Sequence, residues 1–162
     1  GQLNALLDQP GIVPIEVDTS QLLNDEKALQ VVHKTVLACD KAMLYGHPVL
    51  FTSRKVVIAQ SHNPEEKLII SRKISECLAS IVRQLTVRPK AVIVKGGITS
   101  SDVATKGMCI EKALILGQIY PSISVIISGD ESKFPHIPYI IFPGNTGQED
   151  DLKNIWKELR NS

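Results

Sequence analysis

The residues most suited to binding chemistry form a short polar segment just after a run of β-branched residues. Ala91 to Val94 predict a buried strand, and two glycines, Gly96 and Gly97, follow one residue later. Where a strand passes through glycines into a helix, several backbone N–H groups lack partners and attract anions, phosphate in particular. Neither glycine carries a Cβ, so the backbone can approach a ligand closely. The segment therefore predicts a phosphate-binding loop, and the alternative is an ordinary strand-to-helix turn with nothing bound.

Side chains around the two glycines extend this hypothesis. Three hydroxyl residues that follow could donate hydrogen bonds to phosphate oxygens, namely Thr99, Ser100 and Ser101. Lys95 precedes the glycines and would add a positive charge if its side chain points toward the loop. The segment matches neither the Walker A pattern nor the GxGxxG pattern, so neither motif identifies it as a nucleotide-binding loop.

Two other predicted strands also end in small or hydroxyl residues. One runs into Thr52, Ser53 and Arg54, and the other into Pro143, Gly144, Asn145, Thr146 and Gly147. In sheets with helices on both faces, ligands bind beyond the carboxyl ends of the strands, so parallel strands would bring all three loops to one edge. The late loop could hold an adenine or a ribose through backbone contacts, and an ordinary loop is the alternative at both places.

The histidines and cysteines predict neither a metal site nor a disulfide framework. The 4 histidines include no pair with metal-ligand spacing, and the 3 cysteines are far apart without a CxxC pair. Cys39 and Cys77 lie on apolar helical faces and are expected in the core, and Cys109 has no adjacent base to make it a nucleophile. This cysteine usage favours a reducing compartment, so we expect a cytoplasmic protein.

The elements that must position these residues alternate between strands and long helices over the first two thirds of the chain. Apolar spacings of three and four predict long helices at residues 24–45 and 65–86. Runs of β-branched and apolar residues predict strands at residues 12–17, 48–53 and 91–94.

The last third of the chain has shorter and more closely spaced elements. A short helix is expected at about residues 101–106, followed by strands at 112–116, 124–127 and 139–142 and a closing helix at 150–159. Together the two parts predict an α/β three-layer sandwich, with a mostly parallel or mixed sheet and helices on both faces.

Length and charge limit the classes of function. The 162 residues are the size of one domain, and a 43% hydrophobic content excludes a disordered chain. Lys and Arg number 18 against 17 Asp and Glu, and this net charge of +1 argues against a nucleic-acid partner. No apolar run is long enough to span a bilayer, so no membrane partner is expected.

Gly1 is followed at once by a helix-like segment, and we expect a fragment of a longer protein.

The motifs, taken in order, resemble those of one known family. They are Lys95-Gly96-Gly97-Ile98-Thr99-Ser100-Ser101-Asp102-Val103-Ala104-Thr105-Lys106-Gly107, Leu116-Gly117-Gln118-Ile119, Phe134-Pro135 and Phe142-Pro143-Gly144-Asn145. This series strongly resembles the C-terminal nucleotide-binding domain of the four-carbon acid-sugar kinase family. Members are also known as type III effector Hrp-dependent proteins or proposed tRNA synthases. The resemblance covers essentially the whole chain.

The resemblance implies that residues 1–162 are the C-terminal nucleotide-binding domain of a longer two-domain kinase. Its absent N-terminal domain would hold a four-carbon acid sugar of the 3-oxo-tetronate, threonate or erythronate type, which the kinase converts to the 4-phosphate. ATP and Mg²⁺ are then the expected cofactors, and the fragment alone is expected to be inactive. ATP and, through the absent domain, the acid sugar are the expected partners, and homo-oligomerisation is left open.

The nucleotide contacts of the family fall on the same three loops that were chosen above on physical grounds. The matching positions in this sequence are Ser53, then Gly96, Gly97, Ile98 and Thr99, and finally Gly144. Lys95, Ser100 and Asn145 are further candidate nucleotide contacts. Asp102 is a candidate to hold Mg²⁺ through water, and its alternative role is a first-turn carboxylate that the helix dipole favours.

The sequence departs from the family pattern in two loops. Ile98 and Ser101 stand where many members have Glu and Gly. The late loop reads Phe142-Pro143-Gly144-Asn145-Thr146-Gly147 instead of the Ser-Gly-Asn-Phe-Gly type. The glycines and Thr99 are present, so the nucleotide role is retained while the acid sugar is not specified. The alternative function is a non-catalytic module that binds a nucleotide or a phosphorylated ligand for regulation or as an effector.

Overall fold

The computed structural model describes residues 1–53 and 62–162. The candidate loop residue Arg54 lies outside the described residues, as does most of the segment 55–64, whose sequence pattern is ambiguous. The helices are α1 (Gln2–Leu7), α2 (Thr19–Leu22), α3 (Asp25–Met43), α4 (Pro64–Gln84), α5 (Gly97–Asp102) and α6 (Asp151–Asn161). A π-helical turn, Val103–Gly107, continues α5. The strands are β1 (Ile12–Val17), β2 (His47–Thr52), β3 (Val92–Lys95), β4 (Ala113–Tyr120), β5 (Ile123–Ser128) and β6 (Pro138–Phe142).

The strands form a small parallel sheet and a larger mixed sheet. β1 pairs with β2 in parallel, with Ile12 opposite His47 and Val17 opposite Thr52. The larger sheet has the order β3-β6-β5-β4. Within it β3 and β6 are parallel, whereas β5 runs antiparallel to both β6 and β4. Because β2 and the β3–β6 pair are the strands that precede the candidate loops, their direction decides where those loops lie.

Neighbouring residues on the strands face two different helical layers. On β6, Ile140 packs into the cluster that holds Leu152 and Trp156 of α6, while the adjacent Tyr139 packs into the cluster that holds Ala79 of α4. Val49 and Leu50 of β2 divide in the same way, between the α6 side and a cluster on α3 and α4. This alternation buries both faces of the sheets and confirms the predicted three-layer α/β sandwich with parallel and antiparallel strands.

The start of α5 differs from the sequence prediction, which put a helix at about residues 101–106. The helix begins four residues earlier, because Gly96 takes a φ of +111° and turns the chain into α5 directly after β3. The Ser100 hydroxyl donates to the Val94 carbonyl at 3.2 Å and so does not cap a later start. The paired glycines thus belong to the helix start itself and not to a loop that precedes it.

Two glycines near helix ends are required by close packing of the backbone. Gly107 lies in the π-helical turn, where a Cβ would come within 3.0 Å of the Ala79 carbonyl oxygen on α4. Gly46 follows the end of α3. A Cβ there would lie 2.6 Å from the Gly11 carbonyl oxygen, and φ at Gly46 is not left-handed. Close approach of neighbouring backbones is therefore the requirement at both positions.

β4 lies at one edge of the larger sheet and is longer than predicted. Its side chains Leu114, Ile115 and Leu116 are 64%, 76% and 59% exposed. Within the described residues no strand pairs with its outer edge. An exposed apolar edge of this kind is a typical place for another polypeptide to attach.

Candidate functional site

The loops after β3 and β6 meet at one edge of the larger sheet. The Gly96 N–H donates to the Phe142 carbonyl oxygen at 2.9 Å, which extends the β3–β6 pairing into the loops. A Cβ on Gly144 would lie 3.6 Å from the Gly96 Cα atom, so the two loop backbones are in contact. Two of the three predicted loops are therefore adjacent, because β3 and β6 are parallel neighbours.

The third loop, at Ser53, makes its described contacts elsewhere. The Ser53 hydroxyl accepts from the Thr19 N–H at 3.1 Å, and the Thr19 hydroxyl donates to the Ser53 carbonyl at 3.3 Å. Thr19 begins α2, directly after β1. The described hydrogen bonds thus tie Ser53 to the end of the neighbouring strand, and its role as a nucleotide contact stays a prediction.

The amino end of α5 presents backbone N–H groups that no side chain caps. Gly96 is its N-cap and makes no side-chain cap hydrogen bond. The first three amides of the helix, those of Gly97, Ile98 and Thr99, precede the first N–H that reaches a helical carbonyl, which is Ser100 to Gly96 at 2.8 Å. These groups and the helix dipole favour an anion at this position.

Gly97 is a glycine that the surrounding protein does not require. A Cβ built at Gly97 would have no heavy atom within 4 Å outside its own turn, and its φ is not left-handed. By contrast, Gly96 holds a φ that other residues rarely adopt. Open space beside an amide-rich helix start leaves room for a ligand to approach the backbone.

The hydroxyl residues of α5 divide between the core and the surface. Ser100 is buried, its hydroxyl faces Val94, and its carbonyl accepts the Tyr139 hydroxyl at 2.7 Å. Burial raises the pKa of Tyr139, so this phenol stays protonated and holds α5 against β6. Ser101 is exposed beside the open space. Ser100 therefore positions the helix, and of the two serines Ser101 is the one that lines the cleft.

A cleft of about 400 Å³ lies between α4 and the start of α5. Its walls are Arg72, Glu76, Gly97, Ile98, Ser101, Asp102 and Lys106. Sequence reasoning identified the α5 side of this cleft but missed Arg72, Glu76 and Lys106. The pattern that could have found the α4 wall is a polar pair four residues apart, next to small buried residues, Ser75 and Ala79, that allow close helix packing.

Charged groups on the cleft wall form a connected network. The Ser75 hydroxyl donates to Asp102 Oδ2 at 2.8 Å, and Lys106 Nζ lies 3.7 Å from Asp102 Oδ1. Lys106 also lies 3.3 Å from Glu76 Oε1. Within the described residues no group of three or more His, Cys, Asp or Glu side chains could hold a metal by itself. The role of Asp102 in holding Mg²⁺ through water stays a prediction.

Three further candidate residues lie outside this cleft. Lys95 Nζ donates to the Pro143 carbonyl at 3.1 Å and lies 4.3 Å from the centre of the Phe142 ring. Partial burial lowers the pKa of Lys95. Its ammonium therefore joins the β3 and β6 loops. Gly144 and Asn145 are exposed on the adjacent loop and do not line the cleft.

Cys39 and Cys77 pack against the apolar cores of the fold, and the described helices include no candidate membrane span. Cys39 is fully buried, and burial raises the pKa of its thiol to about 12. Cys77 packs beside it on α4. Among the helices that the structure describes, none is long and apolar enough to cross a bilayer.

A family model described as a nucleotide-binding C-terminal domain matches residues 1–152 of the chain. A domain of unknown function from Bordetella bronchiseptica, crystallised with bound citrate as a domain-swapped dimer, has a TM-score of 0.72 at 16% identity. The match covers 98% of this chain and 37% of that one. A proposed tRNA synthase from Salmonella typhimurium LT2 has a TM-score of 0.74 at 16% identity, over 97% of this chain and 38% of that one. The search of curated proteins gave no match.

Proposed function

The chain belongs to the family of nucleotide-binding C-terminal domains, and on that premise we propose that it binds ATP at the start of α5. The phosphates would accept hydrogen bonds from the amides of Gly97, Ile98 and Thr99, with hydroxyl donors from Thr99 and Ser101. The observation that carries this proposal is the uncapped helix start at Gly97, which opens onto the cleft between α4 and α5. A nucleotide base or ribose would then lie toward the late loop at Gly144 and Asn145, which touches Gly96.

We further propose that the full-length protein is an ATP-dependent kinase of a four-carbon acid sugar. The chain spans only 37–38% of the related structures named above, so a second domain would supply the acid sugar. The first residues of the chain support its placement. Gln2 Nε2 donates to the Thr146 and Gln148 carbonyls at 3.2 and 2.8 Å, beside the late loop. A preceding domain would thus join the fold next to the ATP-binding edge.

Phosphoryl transfer depends mainly on positioning the reactants and neutralising phosphate charge. In this chain the α5 amides would fix the phosphates, and Tyr139 would keep α5 in place through the Ser100 carbonyl. Mg²⁺ supplies charge neutralisation when it is bound with ATP. Asp102 fits that ion, because magnesium at nucleotide sites takes one or two carboxylates together with phosphate oxygens and water. The group that accepts the proton of the sugar hydroxyl would come from the other domain.

The test combines binding by this chain with turnover by the full-length protein. Calorimetric titration of the 162-residue chain with MgATP should give saturable one-site binding, with no phosphorylation of any acid. The full-length protein should phosphorylate one member of a panel of 3-oxo-tetronate, threonate and erythronate. Binding without turnover on any acid would favour the non-catalytic module, and failure to bind any nucleotide would overturn the assignment of the site.

We also propose that β4 mediates association of two copies of the protein. The support is its exposed apolar edge, and the Bordetella relative was crystallised as a domain-swapped dimer. The variant Ile115→Lys should shift sedimentation from dimer to monomer, because a buried lysine at a paired edge is costly. The control is Leu29→Lys, at another exposed apolar residue on α3. A monomeric wild type would overturn the proposal.

A further inference from the structure

Two cationic side chains, Lys106 and Arg72, line the cleft at the start of α5, and they differ in whether a carboxylate pairs with them. Lys106 lies 3.3 Å from Glu76 Oε1 and 3.7 Å from Asp102 Oδ1. Asp102 is held in turn by the Ser75 hydroxyl, and its side chain is only 18% exposed. Two carboxylates therefore face the ammonium of Lys106, and little of its charge is left for a ligand.

Arg72 stands on the same wall without such a partner. It is exposed on α4, one turn before Glu76, and it lines the cleft opposite Gly97 and Ile98. The Arg72 side chain makes no hydrogen bond or ion pair with any other part of the described chain. A guanidinium group presents its donors in a planar fork that matches two phosphate oxygens at once.

The charges on the wall of the cleft also affect which phosphate-containing ligands it can bind. Arg72 and Lys106 are balanced by Glu76 and Asp102, so the lining is neutral overall. A single phosphate could be satisfied by the α5 amides alone, but a di- or triphosphate carries more charge than these amides offset. When Mg²⁺ is not bound, the additional charge is best met by a cation that is not already paired, and among the described residues that line the cleft Arg72 is that cation.

We propose that Arg72 binds the outer phosphates of the nucleotide and thereby makes the cleft selective for nucleoside di- and triphosphates over monophosphates. This inference rests on the proposed function of the α5 site. Glu76 has the opposite effect on the same phosphates, because it adds a negative charge to the wall and holds Lys106 away from the ligand. The prediction is that Arg72 raises the affinity of the cleft for nucleotide phosphates and that Glu76 lowers it.

The first experiment compares Arg72→Gln with the wild type by calorimetry, using ATP, ADP and AMP with Mg²⁺ absent. Affinity for ATP and ADP should fall about ten- to a hundredfold, because a charge-assisted hydrogen bond is lost, and affinity for AMP should stay the same. Arg72→Lys should recover only part of the loss, since lysine cannot bind two oxygens in the same fork. The control is Arg83→Gln, which removes the same charge from α4 outside the cleft.

The second experiment uses Glu76→Gln in the same titrations. Affinity for Mg²⁺-free ATP should rise about two- to fivefold, because one negative charge leaves the wall and Lys106 is released. The gain should shrink as salt is added, because both groups are exposed. Thermal melts should show wild-type stability for both variants, since neither residue is buried.

The outcomes separate this inference from the function on which it rests. If the wild type binds ATP but Arg72→Gln binds it equally well, the α5 site stands and the role of Arg72 is wrong. If the affinities of Arg72→Gln for ATP and for AMP fall by the same factor, Arg72 does not select for the outer phosphates, and the inference is again overturned. If the wild type binds no nucleotide, the proposed function and this inference both fail.

Discussion

The amino ends of α4 and α5 differ in how their first backbone N–H groups are satisfied. At α4 the Asn63 side chain accepts from the Glu65 N–H at 3.0 Å, Pro64 has no N–H to satisfy, and acidic residues occupy the first turn. At α5 the N-cap is Gly96, with no side-chain cap bond and no acidic residue in the first turn. One helix start is complete in itself, whereas the other leaves donors and positive potential open to a cleft.

The comparison also shows that a missing cap is not sufficient to indicate a binding site. α1 likewise has no side-chain cap and no acid in its first turn. Both helix starts also carry a glycine whose Cβ would meet open space, Gly1 at α1 and Gly97 at α5. The distinguishing observation at α5 is the cleft of about 400 Å³ that Gly97 and Ile98 line together with charged residues of α4. An uncapped helix start that opens onto a polar cleft is what points to a ligand.

The largest expected effect is that of Gly97→Val on nucleotide binding. The added side chain should occupy the space that the α5 amides face and weaken ATP binding at least about a hundredfold, as expected when several phosphate hydrogen bonds are lost. The fold should be unaffected, because no described atom outside the turn opposes the new Cβ. Calorimetry measures the affinity, and a thermal melt checks the fold.

The control for that variant is Gly1→Val, at another glycine whose Cβ would have no heavy atom within 4 Å. It should bind ATP as the wild type does. Equal affinity of the Gly97→Val protein and the wild type would mean that α5 does not contact the phosphates.

The next effect is the loss of stability in Gly96→Ala. Its φ of +111° is strained for alanine, and such strain costs about 1–3 kcal/mol. For a chain of this size that should lower the melting temperature by roughly 2–4 °C for each kcal/mol. Gly97→Ala is the matched comparison and should keep or slightly raise stability. Equal melting temperatures for the two variants would remove the distinction between a structural and a functional glycine.

Tyr139→Phe should loosen α5 without changing the chemistry of the cleft. The variant loses the hydrogen bond from the phenol to the Ser100 carbonyl, worth about 0.5–1.5 kcal/mol in urea denaturation. Hydrogen exchange at the amides of residues 100–102, which follow the unpaired first turn of α5, should accelerate more than exchange in α3. Uniform acceleration over the whole chain would indicate that Tyr139 supports the fold in general and not α5.

At a capped helix the opposite pattern is expected. Asn24 caps α3 by accepting from the Lys27 N–H at 3.0 Å. Asn24→Ala should therefore cost about 1 kcal/mol of stability and leave ATP affinity unchanged. A loss of ATP affinity in this variant would show that helix caps influence the site through the fold, and it would weaken the comparison with α5.

The last expected effect arises only at alkaline pH, as a loss of stability when the buried Cys39 thiol under α3 is deprotonated. Burial raises the pKa of Cys39 to about 12 from an ordinary value of 9.0, so the folded state favours the protonated thiol. The resulting stability is present below pH 9 and is lost as the pH rises from 9 toward 12. Cys39→Ala should be less stable at pH 7 but should show a shallower decline above pH 9. Identical slopes for the variant and the wild type would contradict the buried-thiol account.

Local patterns in the sequence were sufficient for most of the fold. The apolar spacing of three and four located α3 and α4, and the β-branched runs located β1, β3 and β6, because each element buries one or two faces with a fixed period. α2 was missed, since its four residues are too few to show a period. The start of α5 was misplaced because its hydroxyl residues are typical of caps, while the turn is made by Gly96.

The sequence predicted one wall of the candidate site, formed by α5, but not the other wall, formed by α4. Residues 96–102 could be identified because glycines, hydroxyls and a following helix lie next to one another in the chain. Arg72 and Glu76 could not be, because they lie on a long amphipathic helix where exposed charges are ordinary. Their relation to Gly97 arises from packing of α4 against α5, between residues more than twenty positions apart.

The sequence by itself determined the layered α/β class, the family and the glycine-rich segment after β3, since each depends on residue types at short spacing. The tertiary structure alone decided which loops touch, which way Lys95 and Ser100 point, and which charges face the cleft. The physical reason is that periodicity and backbone freedom are local properties of the chain. The pairing of charges across a cleft depends instead on where helices far apart in sequence come to pack.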